Sequence, residues 1–200
     1  MPILEIITPP DSINTSEAVA LTTSFKLYLN VPAAQTEDDT LILTNLYGGR
    51  TFIENATGRV MIQTVFREYF DGWPCTQQGQ PARIIELSRG PVSAIASVQY
   101  LGEDGSTWHT LATTEYRTDI FSPLARIELA SGSSWPTNDL YSGILSVRVQ
   151  YTAGYASTAA QPVPLRGAAA LLGGAFYRAD KIEDAFAIAR KYYEPYILKR

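Results

Sequence analysis

The sequence predicts an α+β fold: helices packed with a small antiparallel β-sheet or β-sandwich insertion, closed by a helical C-terminus. Three observations predict it. Apolar residues recur at helical spacing as far as Thr57, alternate or run in short bursts from about 60 to 155, and return to helical spacing from Pro164. Thr57-Gly58 marks the first change, because Gly supplies the left-handed backbone that commonly stops a helix. Asp71-Gly72-Trp73-Pro74, Ser88-Arg89-Gly90-Pro91 and Gly102-Glu103-Asp104-Gly105-Ser106 then cut the middle of the chain into short strands. Helices followed by a run of strands, with no regular alternation, is the α+β pattern.

Ile3, Leu4, Ile6 and Ile7 form an apolar strip suited to adding a strand to a sheet or to packing locally. A first helix is expected over about 13–30, with Ala18, Leu21, Phe25 and Tyr28/Leu29 on one face, and Asn30-Val31-Pro32 ends it. A second is expected over about 38–57, with Ile42, Leu46, Gly49, Ile53 and Ala56 as its stripe. The carboxylates of Glu37-Asp38-Asp39 suit its N-terminus as caps and dipole partners, and Arg50 with Glu54 suits an i,i+4 pair. Gly48-Gly49 costs about 1 kcal/mol per Gly inside a helix, so close helix packing or a kink is expected there.

Strands are expected over 61–70, 83–87, 92–101, 107–111, 115–119, 126–129 and 143–151, the last being the strongest. Pro164 opens a third helix reaching about 180, with Leu165, Ala168/Ala169, Leu172, Phe176 and Ala179 on its stripe. Gly173-Gly174 in its small-residue run invites close approach of another backbone. Ile182, Phe186 and Ala189 continue helical spacing, and Pro195 interrupts it. The expected organisation is one α+β domain over 1–180 and an extension over 181–200.

The chain's 200 residues and net charge of -4 bound its chemistry. An acidic chain lacks the basic footprint that tight sequence-specific nucleic-acid binding requires. One cysteine, Cys75, and one histidine, His109, exclude an internal disulfide and the Cys- or His-rich metal sites. No Walker loop, nucleophile elbow or dinucleotide fingerprint is present. No apolar run approaches the roughly 20 residues that cross a bilayer, and the N-terminus lacks a basic secretory start. The expectation is no enzyme, no cofactor and no metal, with a Cys75–His109 thiol–imidazole pair as the residual catalytic reading. A second reading is a β-sheet ligand- or carbohydrate-binding module presenting Trp73, Trp108 and Trp135, although Trp beside Pro in a loop is more often a local packing device.

The tail R-K-Y-Y-E-P-Y-I-L-K-R is basic and aromatic. Two readings fit it: a frayed, solvated end, or a docking segment in which Tyr192, Tyr193, Tyr196, Ile197 and Leu198 are interface anchors.

An ordered set of short pieces supplies a further reading. They are I-E-N-A-T-G-R at 53–59, I-Q-T at 62–64, F-D-G-W-P at 70–74, L-S-R-G-P-V at 87–92, S-V-Q-Y-L at 97–101, E-Y-R-T-D at 115–119, V-R-V-Q-Y-T-A-G-Y at 147–155 and P-V-P-L-R-G-A at 162–168. Together, over about 38–178, they resemble the head–tail connector (adaptor) proteins of long-tailed bacteriophages and gene transfer agents. The resemblance implies a structural protein of the virion, placed at the capsid vertex that carries the tail and assembled in the host cytoplasm. It implies a homo-oligomeric ring, usually a dodecamer, under the portal protein, with a further connector, stopper or tail protein beyond it. Duplex DNA would pass through the lumen without sequence-specific binding, in keeping with the acidic charge. Phe186, Tyr192, Tyr193, Tyr196, Ile197 and Leu198 are then the expected portal-docking residues, and Gly48, Gly49, Gly173 and Gly174 the expected helix contacts of the ring.

Overall fold

A computed structural model describes residues 2–8, 25–75 and 82–199. Most of the expected first helix, with Ala18 and Leu21, and most of the polar loop after Cys75 lie outside them. The chain divides into two compact units: residues 1–9, 63–154 and 200 form one, and residues 10–62 and 155–199 the other.

The first unit is the β-rich one. Its five-stranded antiparallel sheet runs β1 (Ile3–Thr8), β2 (Thr64–Phe70), β8 (Val147–Ala153), β4 (Val92–Leu101), β5 (Trp108–Thr110). A second antiparallel sheet runs β3 (Ile84–Glu86), β7 (Arg126–Leu129), β6 (Tyr116–Asp119). The apolar strip at the N-terminus therefore does add a strand, with Ile3 opposite Tyr69 and Ile6 opposite Phe66. Period-2 alternation sets which residues go inside. In β8, Val147, Val149, Tyr151 and Ala153 are fully buried; in β2, Thr64, Phe66 and Glu68 are buried. β8 begins later than the expected Gly143. Leu145 has φ 57, a left-handed conformation that no strand accommodates, and its N–H donates to the Asp71 carboxylate.

A buried carboxylate joins the central strand of the larger sheet, β8, to its neighbour β2. Glu68 on β2 has no exposed surface, and its Oε2 accepts from the Tyr151 hydroxyl on β8 and from the Ser88 N–H, both at 2.9 Å. Burial, and next the Glu68 charge, push the Tyr151 phenol far above its ordinary range, so it keeps its proton as the donor to Glu68 at neutral pH.

The second unit is helical. Residues 25–29 form α1, and α2 (Asp39–Thr57), α3 (Val163–Arg178) and α4 (Ile182–Tyr193) follow. α2 ends as its sequence requires: Gly58 takes φ 74, and its N–H donates to the Glu54 carbonyl at 2.9 Å. Its start meets expectation in part. Asp39 stands in the first turn, where a carboxylate suits the dipole, but the Asp38 side chain at the N-cap makes no capping bond. Asp39 also pairs with the buried Lys26, and Asp38 accepts from the Tyr177 hydroxyl at 3.1 Å. The acidic cluster thus ties helices together. The stripe Ile42, Leu46, Gly49 and Ile53 is buried, as the spacing predicts, and Arg50 is buried beside it, 3.8 Å from Glu54. Phe25 and Leu29 cluster with Ile42 and Leu46; Ile53 and Met61 cluster with Leu165, Ala168, Ala169 and Leu172.

The glycines of α2 and α3 explain how these clusters close. A Cβ on Gly49 would lie 2.4 Å from the Ala169 carbonyl oxygen and 2.7 Å from the Gly173 nitrogen. One on Gly173 would lie 2.8 Å from the Leu46 Cα. Gly174 faces Tyr28 and Leu29, and Gly48 faces Phe176. The close approach expected of Gly48, Gly49, Gly173 and Gly174 therefore takes place between helices of one chain.

Two expected outcomes test this packing. Gly49→Ala forces α2 and α3 apart and costs about 1–3 kcal/mol, whereas Gly167→Ala on α3, where nothing lies within 4 Å, adds about 0.5–1 kcal/mol. Thermal denaturation reads both, at about 2–4 °C per kcal/mol for a chain of this size; equal responses would refute the packing account. Tyr151→Phe leaves the Glu68 carboxylate short of a donor and costs about 1–3 kcal/mol, measured by urea denaturation of the full chain. An unchanged midpoint would show that the bond contributes nothing.

Candidate docking surface

The C-terminal segment is not a free end. α3 stops at Arg178, and Ala179 (φ 51) and Lys181 (φ 49) reverse the chain in left-handed conformations. α4 then runs back along α3. Glu183 and Asp184 stand in its first turn and Arg190 and Lys191 in its last, the distribution that suits a helix dipole. Ala185 and Ala189, one turn apart, are buried in the helical core. Pro195 acts as expected: α4 ends at Tyr193, and Glu194–Tyr196 forms a single 3-10 turn.

The Arg59 side chain and the Thr57 backbone carbonyl, at the end of α2, hold the segment beyond α4. The Arg59 guanidinium donates from Nε to the Tyr196 carbonyl at 2.7 Å and lies over the Tyr196 ring, 5.8 Å from its centroid. The Leu198 N–H donates to the Thr57 carbonyl at 2.9 Å. Thr57 is itself fixed by its hydroxyl, which donates to the Ile53 carbonyl at 2.7 Å and accepts from the Arg59 N–H at 3.1 Å. Glu54 Oε1 accepts from the Met61 N–H at 2.7 Å. The junction at 53–61 thus anchors the C-terminal segment, which its sequence gave no sign of doing.

This arrangement sorts the six expected docking residues. Phe186 packs edge-on against Phe52, with ring centroids 4.7 Å apart, and Tyr193 meets the same ring at 6.4 Å. Tyr196 is partly buried against the helical core, and Leu198 is half-buried. Only Tyr192, 48% exposed, and Ile197, 37% exposed, present their side chains outward. Ile188, one helical turn before Tyr192, is exposed with them at 45%. Sequence reasoning missed Ile188; three positions after the buried Ala185 and next to Ala189, it stands at the flank of the buried face, and spacing alone does not mark it as outward. The outward apolar side chains of this segment are therefore Ile188, Tyr192 and Ile197, and Arg190 and Lys191 are exposed on the same helix.

The residues of the other readings lie in the β-rich unit. Trp73 and Trp135 stack on each other, centroids 4.5 Å apart and planes 8° from parallel. Each indole N–H donates at 2.7 Å to a backbone carbonyl, Trp73 to Pro136 and Trp135 to Ala82. Trp108 carries the Arg148 guanidinium 3.8 Å above its ring. The three do not form one aromatic platform. His109 stacks on Tyr100 and faces the Asp139 carboxylate at 3.4 Å, while the contact recorded for the Cys75 thiol is the Trp73 carbonyl. Among the described residues no group of three His, Cys, Asp or Glu side chains is placed to hold a metal ion, and no helix is long and apolar enough to cross a membrane.

No protein-family model and no curated protein matches the chain. Solved structures do. A chain from the neck of an empty gene transfer agent particle, computed with C6 symmetry, superposes with a TM-score of 0.73 at 22% identity, covering 99% of this chain and 96% of that one. A chain from the neck of a native particle, computed with C12 symmetry, gives 0.72 at 20%, and one from the virion of a native gene transfer agent gives 0.71 at 21%, with the same coverage. Over virtually its whole length, the chain has the fold of the proteins seen in gene transfer agent necks.

Proposed function

We propose that this chain is a structural connector in the neck of a tailed phage or phage-like particle. In this reading it forms a ring beneath the portal, extends the DNA channel and joins the capsid to the tail. The observation that carries the proposal is the likeness to neck chains across 99% of this chain and 96% of theirs. The ordered motifs between 53 and 168 support it independently. Necks computed with C6 and C12 symmetry favour a ring whose copy number is a multiple of six, and a dodecamer suits both. The acidic charge of the chain suits a passage that duplex DNA must traverse without gripping. Shape alone performs this task, so no catalytic group is required, and neither Cys75 nor His109 has a role in it.

Within that role, the portal-facing contact is assigned to Ile188, Tyr192 and Ile197. Phe186, Tyr193, Tyr196 and Leu198 serve by holding these side chains in place. Removing residues 181–200 would take Ala185 and Ala189 out of the core, so truncation is a poor test of docking.

Imaging of particles with and without the chain tests the role itself: density for a ring is expected at the vertex that carries the tail, and its absence there overturns the proposal. For the contact, Tyr192→Asp combined with Ile197→Asp is expected to weaken attachment to portal-bearing capsids by about tenfold or more, with a melting temperature close to that of the parent because both side chains face outward. Phe186→Ala should instead lower the melting temperature. Full attachment by the double variant would remove these side chains from the interface.

A further inference from the structure

The motif at 53–59 ends on a residue whose side chain stands in for a backbone group. Gly58 leaves α2 with φ 74, and the Arg59 N–H donates to the Thr57 hydroxyl at 3.1 Å. The C-terminal segment runs past this turn. Its Leu198 N–H donates to the Thr57 carbonyl at 2.9 Å, and its Tyr196 carbonyl accepts from Arg59 Nε at 2.7 Å. An antiparallel pairing of Ile197 with Gly58 would have the same first bond, and a second from the Arg59 backbone N–H to the Tyr196 carbonyl. The guanidinium supplies that second bond in place of the diverted N–H.

This pairing sets which way three side chains point. Ile197 takes φ -61 and ψ 125, an extended conformation in which successive side chains face opposite ways. Tyr196 and Leu198 are half-buried, and Ile197 between them faces outward. Apolar burial holds the segment only weakly, since no residue of Glu194–Tyr196 is fully buried. Its own turn is loose as well: the Ile197 N–H donates to the Glu194 carbonyl at 3.3 Å. The two bonds to Thr57 and Arg59 therefore carry its position. Arg59 is steadied in turn by the Tyr155 hydroxyl, to which its Nη1 donates at 3.4 Å.

We infer that Arg59 is a positioning residue for the portal-facing contact: it holds the segment after α4 so that Ile197 meets the portal already ordered. The inference rests on the portal reading above and adds the residue that sets its geometry. Arg59 acts through Ile197 and does not itself touch the partner. A released segment spreads over many conformations, and its apparent affinity falls with the fraction that presents Ile197. A charge-assisted hydrogen bond favours the held form by about tenfold, so its loss lowers attachment by up to that factor.

The test is a double-mutant cycle in the full chain, read as attachment to portal-bearing capsids. Arg59→Ala is expected to weaken attachment by about three- to tenfold. Hydrogen exchange of the Leu198 amide should quicken by about the same factor, while the amides of Ala185 and Ala189 keep their rates. In an Ile197→Asp chain, Arg59→Ala is expected to weaken attachment by less than about twofold more, because the side chain it orients is gone. Arg59→Met keeps the apolar stem and removes every donor. It should match Arg59→Ala in both measurements, and it carries the cycle if the alanine variant unfolds. Four outcomes overturn the inference: attachment by Arg59→Ala or Arg59→Met as tight as the parent's, attachment tighter than the parent's, an unchanged Leu198 exchange rate, or losses that add in the cycle. Each of these leaves the connector reading standing. A parent chain that does not attach to portal-bearing capsids removes the portal contact, and this inference with it.

Discussion

The backbone-to-backbone approach of α2 and α3 at Gly49 and Gly173 is the constraint on which the helical unit depends. With 2.4 Å between a notional Gly49 Cβ and the Ala169 oxygen, no other residue fits without parting the helices. That approach fixes α3. The inward side of α3 fixes Ala185 and Ala189 of α4, and α4 fixes which of its aromatic residues look outward. Which side chains of α4 look outward is thus a downstream result of two missing side chains. The expected intermolecular use of these small-residue pairs meets steric partners that lie within the chain.

Much of the architecture was legible because it rests on local rules. The helix stop at Gly58, the strand Val92–Leu101 and the strand Arg126–Leu129 follow from turn chemistry and period-2 alternation. The third helix opened where Pro164 allows, and the apolar N-terminal strip became an edge strand. Where expectation and structure part, a long-range contact is responsible. Asp38 makes no capping bond and accepts instead from Tyr177, on α3. The start of β8 was set by Leu145 and by Asp71 far upstream, neither of which appears in the alternation.

The candidate site was legible in composition but not in orientation. An aromatic, basic tail signalled a segment richer in apolar groups than solvent favours. Its composition could not divide Phe186 and Tyr193, which pack on Phe52, from Tyr192, which does not. Helical phase does not carry that division either: Tyr192 stands three positions and Tyr193 four after the buried Ala189, both on its side of the helix. The anchoring of Tyr196 by Arg59 spans 137 positions and leaves no periodic trace.

The order of strands in the larger sheet has a temporal side. β8 lies between β2 and β4, yet it is the last of the five to leave the ribosome. Until residue 153 has emerged, β2 and β4 have no strand to bridge them, and their inward valines and aromatics have no lasting cover. Completion of this sheet is therefore a late, long-range event in the folding of the β-rich unit.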